Sequence, residues 1–250
     1  MSPHSHQPRK KPLVFAHRGA NREAFENTRS AFDKALGYAI DGVETDVQLS
    51  RDEIAVLWHD RFLNKIGLNG KHIDDFDFNQ LTALIHPESD GEGLMMLQDF
   101  LAAYRTRCRL LIEVKNRGWE AVSRHQLKIR QTLDLVGENP EHRIMVSSFN
   151  LASLEYAHQY QPEFPLIYNF ETDQTIADAR ALLNLHAFLR GLCLPIENLD
   201  REMVELLREQ DKCVAVYTCN SEAEITRALQ LDVDILISDV PQLALALRDR

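Results

Sequence analysis

The sequence predicts a TIM barrel, the α/β fold in which eight parallel strands, each followed by a helix, close into a cylinder. Short apolar runs alternate with longer segments of helical periodicity along most of the chain, and eight such βα units can be counted. At 250 residues the chain also has the length that this fold usually takes as one domain. A doubly wound open sheet has the same alternation and is the competing fold, but the eight consecutive units favour the barrel.

The predicted strands are short apolar runs bounded by polar or turn-forming residues. The eight barrel strands are expected at 13–16, 42–49, 109–115, 143–147, 166–169, 188–194, 213–217 and 235–238. A further extended run at 54–58 follows the second strand after the polar residues 50–53, so we expect it to pair with that strand as a hairpin.

The predicted helices carry apolar residues at helical spacing between these strands. Asn27 or Thr28 can cap the first helix, which runs to Leu36, and Pro241 opens the last one. The others are expected near 97–104, 120–136, 151–159, 174–183, 201–209 and 221–229. The stretch 61–96 is irregular and contains several glycines, with one helix expected near 78–85.

We expect a single barrel domain over residues 13–250, with a small insertion at about 51–96 after the second strand. No linker, low-complexity tract or internal repeat in the sequence indicates a second domain. Residues 1–12 are polar, contain three prolines and lack the apolar core of a signal peptide. They are predicted to form a flexible N-terminal tail.

Composition and charge exclude several classes of protein. A hydrophobic content of 44% and a charged content of 26% are ordinary for a soluble globular protein. The net charge of −10 argues against nucleic-acid binding and against stable association with anionic membranes, since such surfaces need clustered Lys and Arg. The four cysteines have no metal-ligand spacing and are expected as free thiols, which fits a reducing compartment and a cytoplasmic location. The oligomeric state stays open.

Two carboxylates, Glu44 and Asp46, stand two positions apart in the apolar run GVETDVQL at 42–49. Side chains alternate along a strand, so both carboxylates point to the same face. Two like charges on a buried face are costly unless a cation lies between them. The alternatives are that this face is solvated, or that each acid meets an arginine or a lysine.

A barrel also predicts where a functional site should lie, because catalytic residues of this fold cluster at the carboxyl ends of the strands. Titratable side chains stand there in each of the first three predicted strands: His17 and Arg18, Glu44 and Asp46, and Glu113 and Lys115. Parallel barrel strands are buried on both faces, so these charges need partners in the interior. Their coincidence at one end of the barrel indicates a functional site.

These residue types suit one chemistry. The three carboxylates offer oxygen ligands to a hard divalent cation, with Mg²⁺ or Ca²⁺ as the natural candidates. Arg18 and Lys115 can contact an anionic substrate, and His17 and His59 can move protons near neutral pH. Two alternatives stay open. Each histidine could be a hydrogen-bonded structural residue, and Lys115 could form a buried ion pair with Glu113, although their positions point the two side chains alongside each other.

A set of short motifs runs through the chain in order: HRG at 17–19, ENT at 26–28, GVETDV at 42–47, HD at 59–60, EVK at 113–115, SF at 148–149, YTCN at 217–220 and SDVP at 238–241. Together they resemble the motifs of the glycerophosphodiester phosphodiesterase family. The match covers nearly the whole chain after the tail. The set is highly specific, although HRG alone would be weak.

The resemblance implies a TIM-barrel enzyme that hydrolyses glycerophosphodiesters to glycerol 3-phosphate and an alcohol. It implies a divalent cation, Mg²⁺ or Ca²⁺ with Mn²⁺ as a third candidate. The implied roles are metal binding by Glu44, Asp46 and Glu113, acid–base catalysis by His17 and His59, phosphate contacts from Arg18 and Lys115, and a pocket wall of Phe149 and Tyr217.

The sequence departs from the family at two positions, since the family usually has Trp where Tyr217 stands and Val where Cys219 stands. Tyr217 keeps an aromatic wall but adds a hydroxyl, which leaves the chemistry intact and puts the preference for the alcohol group in question. Glu26 and Asn27 match a family motif beside the site. Their roles stay open, with helix capping as the alternative for Asn27.

We expect metal-assisted cleavage in which His17 acts as the base and His59 protonates the leaving alkoxide. Direct attack by water and attack by a substrate hydroxyl through a cyclic phosphate both stay open. The alternatives are a lysophospholipase D-like or phospholipase-like enzyme on the same scaffold, and a non-catalytic phosphodiester-binding barrel.

The substrates are expected to be water-soluble deacylated diesters. No basic amphipathic helix or long apolar groove is evident, and either would be needed to meet a bilayer or to bind acyl chains. The apolar run LMML at 94–97 is predicted to pack under the insertion.

Overall fold

The computed structural model describes residues 11–84 and 91–250. Within them nine strands form one sheet: β1 (Leu13–His17), β2 (Gly42–Leu49), β3 (Ala55–Leu57), β4 (Arg109–Val114), β5 (Ile144–Ser148), β6 (Leu166–Asn169), β7 (Gly191–Pro195), β8 (Cys213–Tyr217) and β9 (Ile235–Ser238). The spatial order is β1-β9-β8-β7-β6-β5-β4-β2-β3, and β1 pairs again with β2, so the sheet closes on itself. Eight strands pair in parallel, and β3 pairs antiparallel with β2. The predicted TIM barrel and its hairpin strand are confirmed.

Helices follow the barrel strands and cover the outside of the cylinder. They are α1 (Arg29–Leu36), α2 (Phe78–Leu81), α3 (Leu97–Tyr104), α4 (Val122–Val136), α5 (Leu151–Tyr160), α6 (Ile176–Leu185), α7 (Arg201–Glu209), α8 (Glu222–Gln230) and α9 (Pro241–Arg248). Three of them begin at hydroxyl caps, since the side chains of Thr28, Thr175 and Ser221 accept hydrogen bonds from amides of the first turn. The alternative cap for α1, Asn27, is therefore wrong.

The barrel interior is layered. Its lower part is filled by apolar side chains, which are Phe15, Leu111, Met145, Ile167, Cys193, Ala215, Ile235 and Ile237. Strand register aligns His17 with Glu44, and Glu44 with the inward-facing Leu111. Asp46 is aligned with Glu113 in the same way. Side chains in register point to the same side of a parallel sheet, so these polar residues face inward above an apolar floor.

The core outside the barrel packs the helices against the strands. Phe32 of α1 meets Phe100 and Tyr104 of α3 with ring centroids 4.7 and 5.3 Å apart, and none of the three side chains is exposed. Tilted aromatic pairs at this separation stabilise a core beyond their buried area. This cluster anchors α1, which follows the loop that carries Arg18.

The strand predicted at 188–194 begins later and ends one residue later, at Gly191–Pro195. The apolar start of the run packs between helices, since Phe188 stacks on His158 with centroids 4.5 Å apart and planes 7° apart. The strand starts at Gly191, where the backbones of two neighbouring strands lie very close together. Only glycine fits there, because a Cβ would lie 2.1 Å from the carbonyl oxygen of Cys213. The predicted strand at 109–115 ends at Val114, so Lys115 begins the following loop.

The segment after β2 packs as a small cluster of its own. Val56, Trp58, Leu63, Ile73 and Leu81 form its buried centre. The helix predicted near 78–85 ends at Leu81, and its last position lies outside the described residues. The predicted tail at 1–12 lies almost entirely outside them too. No helix in the described part of the chain combines the length and the apolar character needed to cross a membrane.

Candidate active site

The carboxyl ends of β1, β2 and β4 lie side by side, because these strands are neighbours in the barrel. The site residues predicted on them therefore come together at one end of the cylinder. A small cleft, partly open to solvent, lies there over the apolar floor. It is lined by His17, Glu44, Leu111, Glu113, Ser147, Phe149, Asn169, Cys193, Tyr217 and Ile237.

Three carboxylates form one wall of the site: Glu44 and Glu113 line the cleft, and Asp46 is fully buried beside them. Glu44, Asp46 and Glu113 are 4%, 0% and 8% exposed, and each offers an oxygen within 4.8 Å of the others. Burial, and then the charge of Asp46, raises the pKa of Glu44 well above its ordinary value. Its Oε2 atom is buried without a hydrogen-bond partner among the described residues. Three buried carboxyl groups this close, one of them with an oxygen that has no hydrogen-bond partner among the described residues, are the arrangement that a bound cation would stabilise.

Two cations already lie against this wall. The Nζ of Lys115 is 2.5 Å from Glu113 Oε1 and 3.0 Å from Asp46 Oδ1, and the Nε of Arg18 is 3.1 Å from Asp46 Oδ2. Although burial opposes it, these two cations hold the pKa of Asp46 below its usual range. The ion pair of Lys115 with Glu113 is thus present, because the long lysine side chain turns back toward its neighbour.

His17 is held by a carboxylate that the sequence analysis gave no role. Its Nδ1 atom lies 2.6 Å from Oδ1 of Asp239, which follows β9. Asp239 also accepts hydrogen bonds from the amide groups of Asn21 at 2.6 Å and Asn220 at 2.8 Å. Although burial opposes it, the hydrogen bond from His17 lowers the pKa of Asp239, so the carboxylate is ionised and Nδ1 must donate. The Nε2 atom is then the acceptor, without a hydrogen bond from the described residues, and lies 3.8 Å from Oε2 of Glu44.

Burial is the main influence on His17 itself. It lowers the pKa of this imidazole below its ordinary value, while the hydrogen bond to Asp239 acts in the opposite direction. A histidine with a lowered pKa is neutral at physiological pH and can accept a proton.

His59 lies in the loop after β3, outside the residues that line the cleft but close enough to Asp46 to act on the pKa of that carboxyl group. Its Nδ1 atom is 2.8 Å from Asp60 Oδ1, and its side chain is 32% exposed. The hydrogen bond from His59, together with Lys65, lowers the pKa of Asp60 to about 2. The carbonyl of His59 accepts a hydrogen bond from Arg117 at 2.6 Å, which ties this loop to the one after β4.

Asn27 and Glu26, whose roles the sequence left open, support the charged wall. The amide of Asn27 donates to Asp46 Oδ2 at 3.0 Å and accepts from the Thr45 hydroxyl at 2.8 Å. Glu26 accepts from Arg18 at 3.1 Å and pairs with Lys65 at 2.8 Å. Through these contacts Asn27 orients Asp46, and Glu26 orients Arg18.

Another part of the cleft wall is aromatic. Phe149 and Tyr217 meet edge to face, with centroids 6.1 Å apart and planes at 88°. The hydroxyl of Tyr217 donates to the carbonyl of Phe170 at 2.7 Å. The hydroxyl that distinguishes this residue from tryptophan is therefore bound to the protein backbone and holds the ring in place.

Sequence reasoning missed three features of this region: the Asp239 partner of His17, the inward-facing Asn169 at the end of β6, and the buried Lys128 of α4 behind Lys115. A signal for Asn169 was present, since a polar residue ends the buried run LIYN at 166–169. Asp239 stands in a motif that was recognised, but nothing local to it indicates His17 as a partner.

Comparisons with known proteins agree on one family. Residues 17–243 match the model of the Glycerophosphoryl diester phosphodiesterase family. A glycerophosphodiester phosphodiesterase from Bacillus altitudinis is 27% identical, covering 94% of this chain and 98% of that protein. One from Caldanaerobacter subterraneus subsp. tengcongensis is 26% identical, covering 93% and 96%.

Solved structures show the same fold. An Oleispira antarctica phosphodiesterase, solved in complex with the product sn-glycerol-3-phosphate, superposes with a TM-score of 0.83 at 25% identity. The match covers 96% of this chain and 98% of that one. A glycerophosphodiester phosphodiesterase from Thermotoga maritima gives a TM-score of 0.77 at 24% identity, covering 99% and 100%.

Proposed function

Since the chain belongs to the glycerophosphoryl diester phosphodiesterase family, we propose that it hydrolyses glycerophosphodiesters to glycerol 3-phosphate and an alcohol by metal-assisted acid–base catalysis. The observation that carries this proposal is the wall of three buried carboxylates with Arg18 and Lys115 against it, His17 beside Glu44, and His59 in the loop after β3. This arrangement combines ligands for a cation, donors for phosphate oxygens and two proton carriers.

The three carboxylates Glu44, Asp46 and Glu113 would hold Mg²⁺ or Ca²⁺, with Mn²⁺ as a third candidate. Two observations support the fit: the ligand oxygens lie within 4.8 Å of one another, and Glu44 Oε2 is buried without a hydrogen-bond partner among the described residues. Hard oxygen donors are what these cations prefer. When bound, such a cation neutralises phosphate charge and lowers the pKa of a coordinated hydroxyl group.

Arg18 and Lys115 provide the donors for the phosphate. In the structure described here they pair with the carboxylates, and a cation at that wall would compete for the same oxygens. Both side chains would then have donors available to phosphate oxygens. The planar guanidinium of Arg18 can bind two of them at once, and both charges stabilise the negative charge that develops at phosphorus.

Each histidine carries out one of the two proton transfers. His17 accepts the proton of the nucleophile through Nε2, because Asp239 holds Nδ1 and burial lowers the imidazole pKa. His59 protonates the leaving alkoxide; its partial exposure suits a group that must regain a proton from solvent. The nucleophile is water or a hydroxyl of the substrate, and the same assignments serve both routes.

We propose water-soluble deacylated diesters as the substrates. The apolar run at 94–97, the one stretch that argued for acyl chains, is largely taken up by packing: Met95 is 8% exposed, Leu97 is fully buried, and Leu94 packs against the cluster around Trp58. The cleft itself has a polar rim and a closed floor. These features favour a small diester over a lysophospholipid or an intact lipid.

We also propose a cytoplasmic protein that binds neither nucleic acid nor membranes stably. The net charge of −10 and four free cysteines support it. Fractionation of cells, with the protein detected in the soluble or membrane fraction, tests the location.

The decisive experiment measures glycerol 3-phosphate release from glycerophosphocholine, glycerophosphoethanolamine and glycerophosphoglycerol, and lysophosphatidic acid release from lysophosphatidylcholine, all in detergent-free buffer. Turnover of the three deacylated diesters that stops with chelator and returns with Mg²⁺, Ca²⁺ or Mn²⁺ supports the proposal. A higher kcat/KM for lysophosphatidylcholine would favour the lysophospholipase D reaction. Binding without turnover of any diester would favour the non-catalytic barrel.

A further inference from the structure

Asn169 is a buried polar residue of the cleft that the proposed mechanism does not use. It ends β6 and is 4% exposed. Its Oδ1 atom has no hydrogen-bond partner among the described residues. A buried polar atom without a partner costs free energy, so it is retained where a ligand or an ordered water completes it.

The barrel register directs this side chain into the cleft. Ile167, two residues earlier on the same strand, belongs to the apolar floor, and Asn169 is aligned with the inward-facing Cys193 of β7. Asn169 therefore stands one layer above the floor, on the side of the barrel away from β2. The Ser147 hydroxyl lines the same cleft.

We propose that Asn169 binds a hydroxyl group of the glycerol part of the substrate and makes the cleft selective for phosphodiesters that carry glycerol. This inference rests on the proposed function. With the phosphate held between Arg18, Lys115 and the carboxylates, one arm of the diester extends toward β5, β6 and β7. The inner end of the cleft, over the apolar floor, suits the glycerol arm, which is the same in every substrate, whereas the variable alcohol needs the side that is open to solvent.

The chemistry of the two groups matches. A primary amide can accept a hydrogen bond through its oxygen and donate through its nitrogen, and a hydroxyl can do both. The floor beneath is apolar, from Leu111, Cys193 and Ile237, and suits the carbon chain of glycerol. A site built to bind a hydroxyl rejects an analogue that lacks it, because the amide is then left unpaired.

The test compares two ligands that differ only in hydroxyl groups, glycerol 3-phosphate and n-propyl phosphate. Their affinities for the wild-type protein and for Asn169→Ala are measured by calorimetry in buffer with Mg²⁺. We expect Asn169→Ala to weaken glycerol 3-phosphate binding roughly tenfold, the size of one or two lost hydrogen bonds, and to change n-propyl phosphate binding by less than about twofold.

Asn139→Ala is the matched control. It removes another partly buried amide, one that donates to the Ile144 carbonyl at 2.7 Å at the opposite end of β5, and it should leave both affinities unchanged. Equal losses for the two ligands in Asn169→Ala, or no loss, would overturn the inference. So would equal binding of the two ligands to the wild-type protein, a comparison that does not depend on how well the variant folds.

Turnover is measured on the same preparations. If the wild-type protein releases no glycerol 3-phosphate while binding still depends on Asn169, the proposed catalysis fails and the hydroxyl site stands. If turnover is present without this dependence, the catalysis stands and the role of Asn169 is wrong.

Discussion

At the scale of single residues, the site depends on how charged groups are oriented as much as on which ones are present. Asp239 contacts one ring nitrogen of His17, which is buried in the site. Asp60 contacts one ring nitrogen of His59, whose side chain is partly exposed. The two imidazoles share a residue type but differ in burial, and this difference underlies their proposed roles as base and acid.

Replacing either His17 or His59 with alanine should lower kcat by at least ~10²-fold, the usual contribution of a positioned proton carrier. His158→Ala is the matched control, since this histidine stacks on Phe188 on the outside of the barrel and should leave kcat unchanged. Steady-state kinetics with circular dichroism checks the result. A loss of activity that follows a loss of folded protein would mark the histidine as structural.

Asp239→Asn should lower kcat by about tenfold or more, because the amide can donate to His17 and favour the wrong tautomer. Asp239 raises the pKa of His17, so its removal should lower that pKa further. A base is active above its pKa, and the acid limb of the pH–rate profile should therefore move to lower pH. An unmoved profile with a lower melting temperature would show that Asp239 only stabilises the fold.

At the scale of elements, α4 supports the loop that carries Lys115. Lys128 of α4 is fully buried, and its ammonium group donates to the carbonyl of Lys115 and to both oxygens of Glu120 at 3.0 Å. Burial lowers the pKa of Lys128, and Glu120 acts against it. The helix thus fixes the backbone directly after β4 through one buried cation.

Lys128→Met should destabilise the protein by about 3 kcal/mol, because it leaves Glu120 buried with weaker partners and the Lys115 carbonyl without its donor. Adding Glu120→Gln should recover part of the loss. Urea unfolding of the single and double variants gives these free energies, with the exposed Lys34→Met as the control. A double variant no more stable than the single one would argue against a coupled pair.

At the scale of the whole molecule, closure of the barrel brings residues from both ends of the chain into one site. β1 pairs with β9 on one side and β2 on the other, so the loop after the last strand reaches His17. The charged wall is then buried inside a rigid cylinder, where like charges cannot move apart. A cation that binds there should stabilise the folded state as well as serve the reaction.

Adding Mg²⁺, Ca²⁺ or Mn²⁺ to chelator-treated protein should raise the melting temperature in a concentration-dependent way, because a ligand that binds only the folded state stabilises it. The Glu44→Gln variant should lose most of this response. Differential scanning fluorimetry with each cation measures both. An equal response in the variant would show that the cation binds elsewhere.

Much of the molecule was determined by the sequence alone. Strand and helix periods, hydroxyl caps and Pro241 are local signals, so the order of elements and most of their bounds could be predicted. The meeting of charged residues at the carboxyl ends of β1, β2 and β4 could be predicted too, because a barrel places these ends of neighbouring strands together and Glu44, Asp46, Glu113 and Lys115 repeat one spacing. Their roles in binding and catalysis stay predictions.

Only the tertiary structure decided which groups meet across the chain. Asp239 lies 222 residues from His17, and no local pattern joins them. Asn27 contacts Asp46 rather than capping a helix, and Lys115 turns back to Glu113 instead of pointing past it. The physical reason is that periodicity specifies the face on which a side chain lies, whereas its partner depends on which distant segments the closed barrel packs against that face.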